Sequence, residues 1–163
     1  MTLILVVIFV PWPTLASAGL FKVVQVYDGD TIKAVGHDIE IKVRLVGIDA
    51  PETSKGKRKA GQPFGQKAEK YLTGLVLNKV VDIKGYGADR YGRILAEIYI
   101  DDRNINLEMV KSGYAEVYSG NPPRGLYMKV YKQAEDGARN AGQGIWSQGE
   151  KYISPAQWRK TRM

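Results

Sequence analysis

Residues 20–48 read LFKVVQVYDGDTIKAVGHDIEIKVRLVGI. Valine and isoleucine recur throughout, and two turn signals cut the run, at Asp28-Gly29 and at Gly36-His37-Asp38. β-Branched side chains suit a pleated, half-buried surface, whereas Gly and Asp tolerate the backbone angles of tight turns. The stretch therefore predicts three consecutive strands, at 21–27, 30–35 and 39–47, joined by short turns. His37 falls in the second turn, where exposure is expected.

The chain beyond this point supplies the rest of a small domain. Residues 53–65, TSKGKRKAGQPFG, lack periodicity and read as a loop. Its Lys55, Lys57, Arg58 and Lys59 either grip phosphates without sequence preference or form a solvated charge run. Ala68, Tyr71, Leu72 and Leu75 fall at helical spacing. Two further strands are expected around 79–86 and 93–100, with YGADRYG as the connection. Asn106 is expected to cap a short helix ending at Gly113. A last helix is expected over 126–140, burying Tyr127, Val130, Tyr131, Ala134 and Ala138 on one face. Tyr71 is expected in the core as well, and Trp146 at the lower edge of the sheet. Residues 148–163 read as a peripheral basic tail containing Trp158. Five strands with a helix after the third predict a mainly β protein with three α-helices, its strands closed into a five-stranded Greek-key barrel of the OB-fold type. Such barrels bind oligonucleotides on one face.

Composition narrows the chemistry. The 163-residue chain has no cysteine and a single histidine, His37, which removes disulfides, thiolate metal sites and histidine-paired nucleophiles. One domain of this size buries enough surface to fold without a staple. The formal charge of +7 favours polyanionic partners. Residues 1–18, MTLILVVIFVPWPTLASA, carry no charged side chain and end in Ala-Ser-Ala, the small-x-small pattern of a cleavage site. A secretory signal over 1–18 is expected, with a mature domain at 19–163 that is secreted or periplasmic, monomeric and free of stable membrane association. An uncleaved anchor is the alternative.

The chemistry left to such a chain belongs to carboxylates, arginines and oxygen-bound cations. Asp28 and Asp30 flank Gly29, and Asp49 and Glu52 flank Ala50-Pro51. If strand two opens beside the end of strand three, Asp30 lies near Asp49. Adjacent carboxylates repel unless a proton or cation is shared, and with oxygen donors alone the natural cation is Ca²⁺ or Mg²⁺. Ala50 precedes proline and is held extended, which frees its carbonyl as a third ligand. Arg44 and Arg93 offer planar donor forks suited to phosphate oxygens. Glu52 is the spare carboxylate that can orient or deprotonate an attacking water.

DGDT, VRLVGIDAPET and DRYGRILAEIYI, in that order, resemble the three motif blocks of the staphylococcal nuclease (thermonuclease) family, and GIWS is similar to its closing segment. The resemblance spans roughly residues 21–147. It implies a Ca²⁺-dependent nuclease on an OB barrel, cutting DNA and RNA to leave 3′-phosphate ends. By motif, Asp30 and Asp49 resemble the calcium carboxylates, with Ala50 as the backbone ligand. Glu52 resembles the water-activating glutamate, and Arg44 and Arg93 the phosphate-binding pair. Tyr91 resembles a tyrosine near the terminal phosphate of a bound nucleotide, and Tyr118 one that stacks on the base. With so few protein ligands, calcium affinity is expected in the weak range, about 10⁻⁴–10⁻³ M. The competing expectation is a non-catalytic nucleic-acid-binding or scaffold module of the same fold.

Overall fold

Strand β1 (Leu20–Asp28) turns at Gly29-Asp30 into β2 (Thr31–Gly36), which turns at His37-Asp38 into β3 (Ile39–Leu45). The computed structural model describes residues 19–54 and 60–161; the proposed signal segment and the four basic residues at 55–59 lie outside it. His37 and Asp38 both have positive φ, at 52° and 59°, as a two-residue turn between right-twisted strands requires. His37 is exposed, with its ring edge-on to Phe21.

After a two-residue strand, β4 (Ile48–Asp49), comes helix α1 (Gly65–Val76). Its apolar stripe, Ala68, Leu72 and Val76, faces inward, and Tyr71 packs at the core margin. The meander resumes with β5 (Val80–Ala88), β6 (Ile94–Ile100) and the short β7 (Arg103–Asn104). The sheet order is β3-β2-β1-β5-β6-β7, and a parallel β3–β6 pairing closes it into a five-stranded barrel. Closure removes the edges that an open sheet would present. Val23, Ile32, Ala34, Val43, Leu45, Val81, Ile83, Ala96 and Ile98 fill the interior, all essentially inaccessible.

Helix α2 (Ile105–Lys111) starts earlier than its sequence suggested. Asn104, not Asn106, is the cap, accepting from the Leu107 amide at 3.0 Å. Asn106 is fully buried: it accepts from Ile98 N at 3.1 Å and donates to the carbonyls of Val46 and Ala96 at 2.9 Å. The residue that looked like a cap is a polar staple joining α2, β6 and the end of β3.

The two-residue β8 (Glu116–Val117) pairs with β4, and α3 (Met128–Asn140) follows. Tyr131 and Ala138 on α3 are buried, as the helical spacing predicts. Tyr127 is not: it precedes the first helical residue, so the helical phase does not govern it, and it is 64% exposed. Val130 also faces outward. The segment expected to be a peripheral tail is structured, forming a 3₁₀ stretch (Gly144–Lys151) and a fourth helix, α4 (Pro155–Lys160). Trp146 belongs to this annex rather than to the barrel. It packs with Ala138, Ile145, Phe64 and Tyr152 in a second cluster, its ring 3.6 Å from the Arg139 guanidinium.

Candidate active site

The β1–β2 turn is built to bring a carboxylate to the end of β3. The Asp30 amide donates to Asp28 Oδ1 at 3.0 Å, and the Asp30 carbonyl accepts from Leu45 N at 2.8 Å. Gly29 lets the turn approach this closely: a Cβ there would lie 2.6 Å from that of Ala50 and 2.8 Å from that of Ala68. Asp30 Oδ2 then accepts the Ala50 amide at 2.8 Å, across a sequence separation of 20. Thr31 Oγ1 donates to its other oxygen.

One guanidinium joins the two aspartates. Arg44 lies 3.1 Å from Asp30 Oδ2 through Nη1 and 3.2 Å from Asp49 Oδ1 through Nη2, and Nη1 also donates to the Leu45 carbonyl. Asp49 is 2% exposed and Asp30 6%. Burial raises the Asp30 carboxyl to about 8 against the pull of Arg44, with Asp28 and Asp49 adding to the rise.

Glu52 is placed by backbone rather than by strand pairing. Its carbonyl accepts from Gln62 N at 2.8 Å, and its amide donates to Gln62 Oε1 at 3.2 Å. Gly65 completes this seat, because a Cβ there would fall 2.2 Å from the Glu52 carbonyl oxygen. Glu52 is thereby pinned between the start of α1 and a nearly buried glutamine.

A second guanidinium comes from the far end of the chain. Arg159, on α4, donates to both oxygens of Asp49, at 3.1 and 2.7 Å, and to Glu52 Oε1 at 2.8 Å. The Asp49 and Glu52 carboxylates raise the Arg159 pKa further above its ordinary value. Asp30, Asp49 and Glu52 thus share one cluster with Arg44 and Arg159.

The family model described as "Staphylococcal nuclease homologue" matches residues 42–148, more than half of the chain. The chain belongs to the staphylococcal nuclease family. It is 43% identical over 143 residues to an uncharacterized endonuclease of Haemophilus influenzae, an alignment covering 85% of this chain and 72% of the relative. An uncharacterized endonuclease of Escherichia coli is 34% identical over 159 residues, covering 95% and 94%. Endonuclease Htp3 of Saprolegnia parasitica is 34% identical over 160 residues, covering 85% and 74%.

Within this nuclease-family domain, the remaining candidates lie on neighbouring elements and are held by partners of their own. Arg93 directly precedes β6, the strand that pairs with the Arg44 strand. Its guanidinium is held by Asp89, with both Nε and Nη2 2.7 Å from Oδ2. Tyr91 is 69% exposed, flanked by the guanidiniums of Arg90 and Arg93. Tyr118 follows β8, the partner of the Asp49 strand, and its amide donates to Gly47 O at 3.0 Å. Its ring is partly exposed and covers Gly120.

Two residues at the cluster escaped the sequence reading. Gln62 sat in a stretch read as featureless loop, and Arg159 in a tail read as peripheral. Ser154-Pro155 followed three residues later by Gln157 was the available signal. It is a capping box with proline at the first helical position, and both of its hydrogen bonds form.

Among the described residues, no three His, Cys, Asp or Glu side chains gather into a metal-binding group. The donor set on offer is the Asp30–Asp49 pair with the Ala50 backbone. It consists of oxygens alone and already draws two guanidiniums. These properties fit a hard divalent cation with water completing its shell.

Proposed function

We propose that the protein is a calcium-dependent nuclease that hydrolyses phosphodiester bonds of DNA and RNA and leaves 3′-phosphate ends. The observation that carries this reading is the convergence of Asp30, Arg44, Asp49 and Glu52, from three separate stretches of chain, on one cluster. Family membership and the endonuclease names of the relatives support it.

In this reading Asp30, Asp49 and the Ala50 carbonyl hold the cation. When bound, calcium supplies charge neutralisation beside the scissile phosphate. Arg44, fixed by Asp30, Asp49 and the Leu45 carbonyl, and Arg93, fixed by Asp89, donate to phosphate oxygens as negative charge builds on them. Glu52 orients the attacking water or accepts its proton. Tyr91 borders the phosphate site beside Arg93, and Tyr118 offers a face to a base. The protein acts as a monomer, secreted or periplasmic, after its 1–18 signal is removed, and its positive charge draws it to nucleic acid.

Incubation with plasmid and with RNA, in calcium or in excess chelator, tests the assignment. Cutting in calcium, loss of cutting in chelator and 3′-phosphate termini are expected. Folded protein that shifts nucleic acid on a gel without shortening it, whether or not chelator is present, would make this a binding module instead.

A further inference from the structure

Arg159 occupies the carboxylates that the reading above assigns to the cation and the water. Its fork takes both oxygens of Asp49, and its Nη1 also takes Glu52, so one side chain engages two of the three acids at once. A cation on Asp49 and a water on Glu52 need those same oxygens. We infer that Arg159 is a built-in counter-cation that closes the site, and that a divalent cation binds by displacing it.

Charge balance supports displacement over coexistence. Arg159 brings one positive charge to Asp49 and Glu52, and withdrawing it leaves both without that partner. A divalent cation on Asp49 replaces that charge and adds a second, whereas cation and guanidinium together would crowd like charges onto the same oxygens. The geometry supports it as well. The Arg159 side chain is 43% exposed, against 2% for Asp49, so it covers the carboxylate from the solvent side and can swing away without opening the core.

Arg159 is also delivered by dedicated structure rather than by an unconstrained tail. Pro155 is buried and Ser154 caps the helix. Gln62 Nε2 donates to the Ile153 carbonyl at 2.7 Å while Gln62 Oε1 accepts the Glu52 amide. A single glutamine therefore ties the segment that carries the closing arginine to the glutamate it closes. Competition of this kind is reciprocal: whatever factor Arg159 takes from cation affinity, the cation takes from the Arg159 contact.

The inference rests on the metal-binding reading, and calorimetric titration of the full chain with calcium alone separates the two. Arg159→Gln, which stays polar but removes the charge and the terminal fork, is expected to bind calcium about tenfold more tightly than the parent, within the usual range of site-to-site coupling. Arg159→Lys keeps the charge but loses the fork and is expected to fall between them. It also serves if the glutamine variant melts early. Equal or weaker calcium binding in both variants, with a parent that binds calcium and cuts, overturns the closing role and leaves the nuclease reading standing. Unchanged calcium binding with reduced cutting overturns it too and makes Arg159 a substrate contact. Failure of every chain to bind calcium sinks the metal reading and this inference together.

Discussion

Glu52 and Arg93 show how differently two residues of one site can be supported. The Glu52 backbone is fixed by Gln62 and by the close approach of Gly65, so truncating its side chain gives up the exposed Arg159 contact but leaves this seat in place. Arg93 is oriented by Asp89 at a partly exposed hairpin. Neither side chain fills the core. Glu52→Ala and Arg93→Ala are each expected to leave the thermal unfolding midpoint within a few degrees of the parent while lowering the rate of plasmid cutting by about 10²-fold or more, the usual weight of a positioned acid–base or charge-stabilising group. Parental rates in both variants would remove the two residues from the reaction. Arg44 makes a less clean probe, because its removal leaves Asp30 and Asp49 facing each other in a buried site.

Among the elements, the short helix α2 is the one whose role differs most from its appearance. Seven residues are too few to hold a helix on propensity, so its position depends on tertiary contacts. Ile105, Met109 and Val110 bury against the core, and Asn106 adds one accepted and two donated bonds in the same buried layer. Truncation strands the Ile98 amide and the Val46 carbonyl, whereas the Ala96 carbonyl still receives Val46 N. Two orphaned buried groups at ~1–3 kcal/mol each imply that Asn106→Ala lowers unfolding free energy by about 3 kcal/mol or more. Urea denaturation checks this, and a loss below about 1 kcal/mol would mean that water replaces the amide.

At the scale of the whole molecule, Glu97, a buried carboxylate outside the candidate cluster, ties acid stability to the barrel. Burial alone would raise the Glu97 carboxyl, but donors on Tyr86, Tyr131, Lys84 and Asn104 outweigh it and hold the pKa below the ordinary 4.5. The unfolded chain therefore takes up this proton at a higher pH than the folded one. The associated stability is complete above the ordinary carboxylate range and drains away as pH falls through the lowered folded value. Glu108, paired with Arg103, acts in the same sense. Urea midpoints of the calcium-free protein are expected to drop as pH falls below the ordinary carboxylate value of 4.5, and Glu97→Gln should flatten that slope. An unchanged slope in the variant would place the acid sensitivity elsewhere.

Local chemistry made much of this protein readable in advance. The β-branched runs and the two tight turns of residues 20–48 allow little but consecutive paired strands. The Gly29 turn forces Asp30 toward the end of β3, so the Asp30–Asp49 meeting was already implied by strand order. The placement of Arg159 was not, since it comes from a helix 110 residues away from Asp49 along the chain. The roles of Asn106 and Gln62 were also hidden, because a polar side chain looks the same in sequence whether it caps a helix, hangs in a loop or staples a core. Periodicity and turn preference act over a few residues and declare themselves in order. Which distant guanidinium settles on a buried carboxylate is decided only when the barrel closes and the chain end folds back across it.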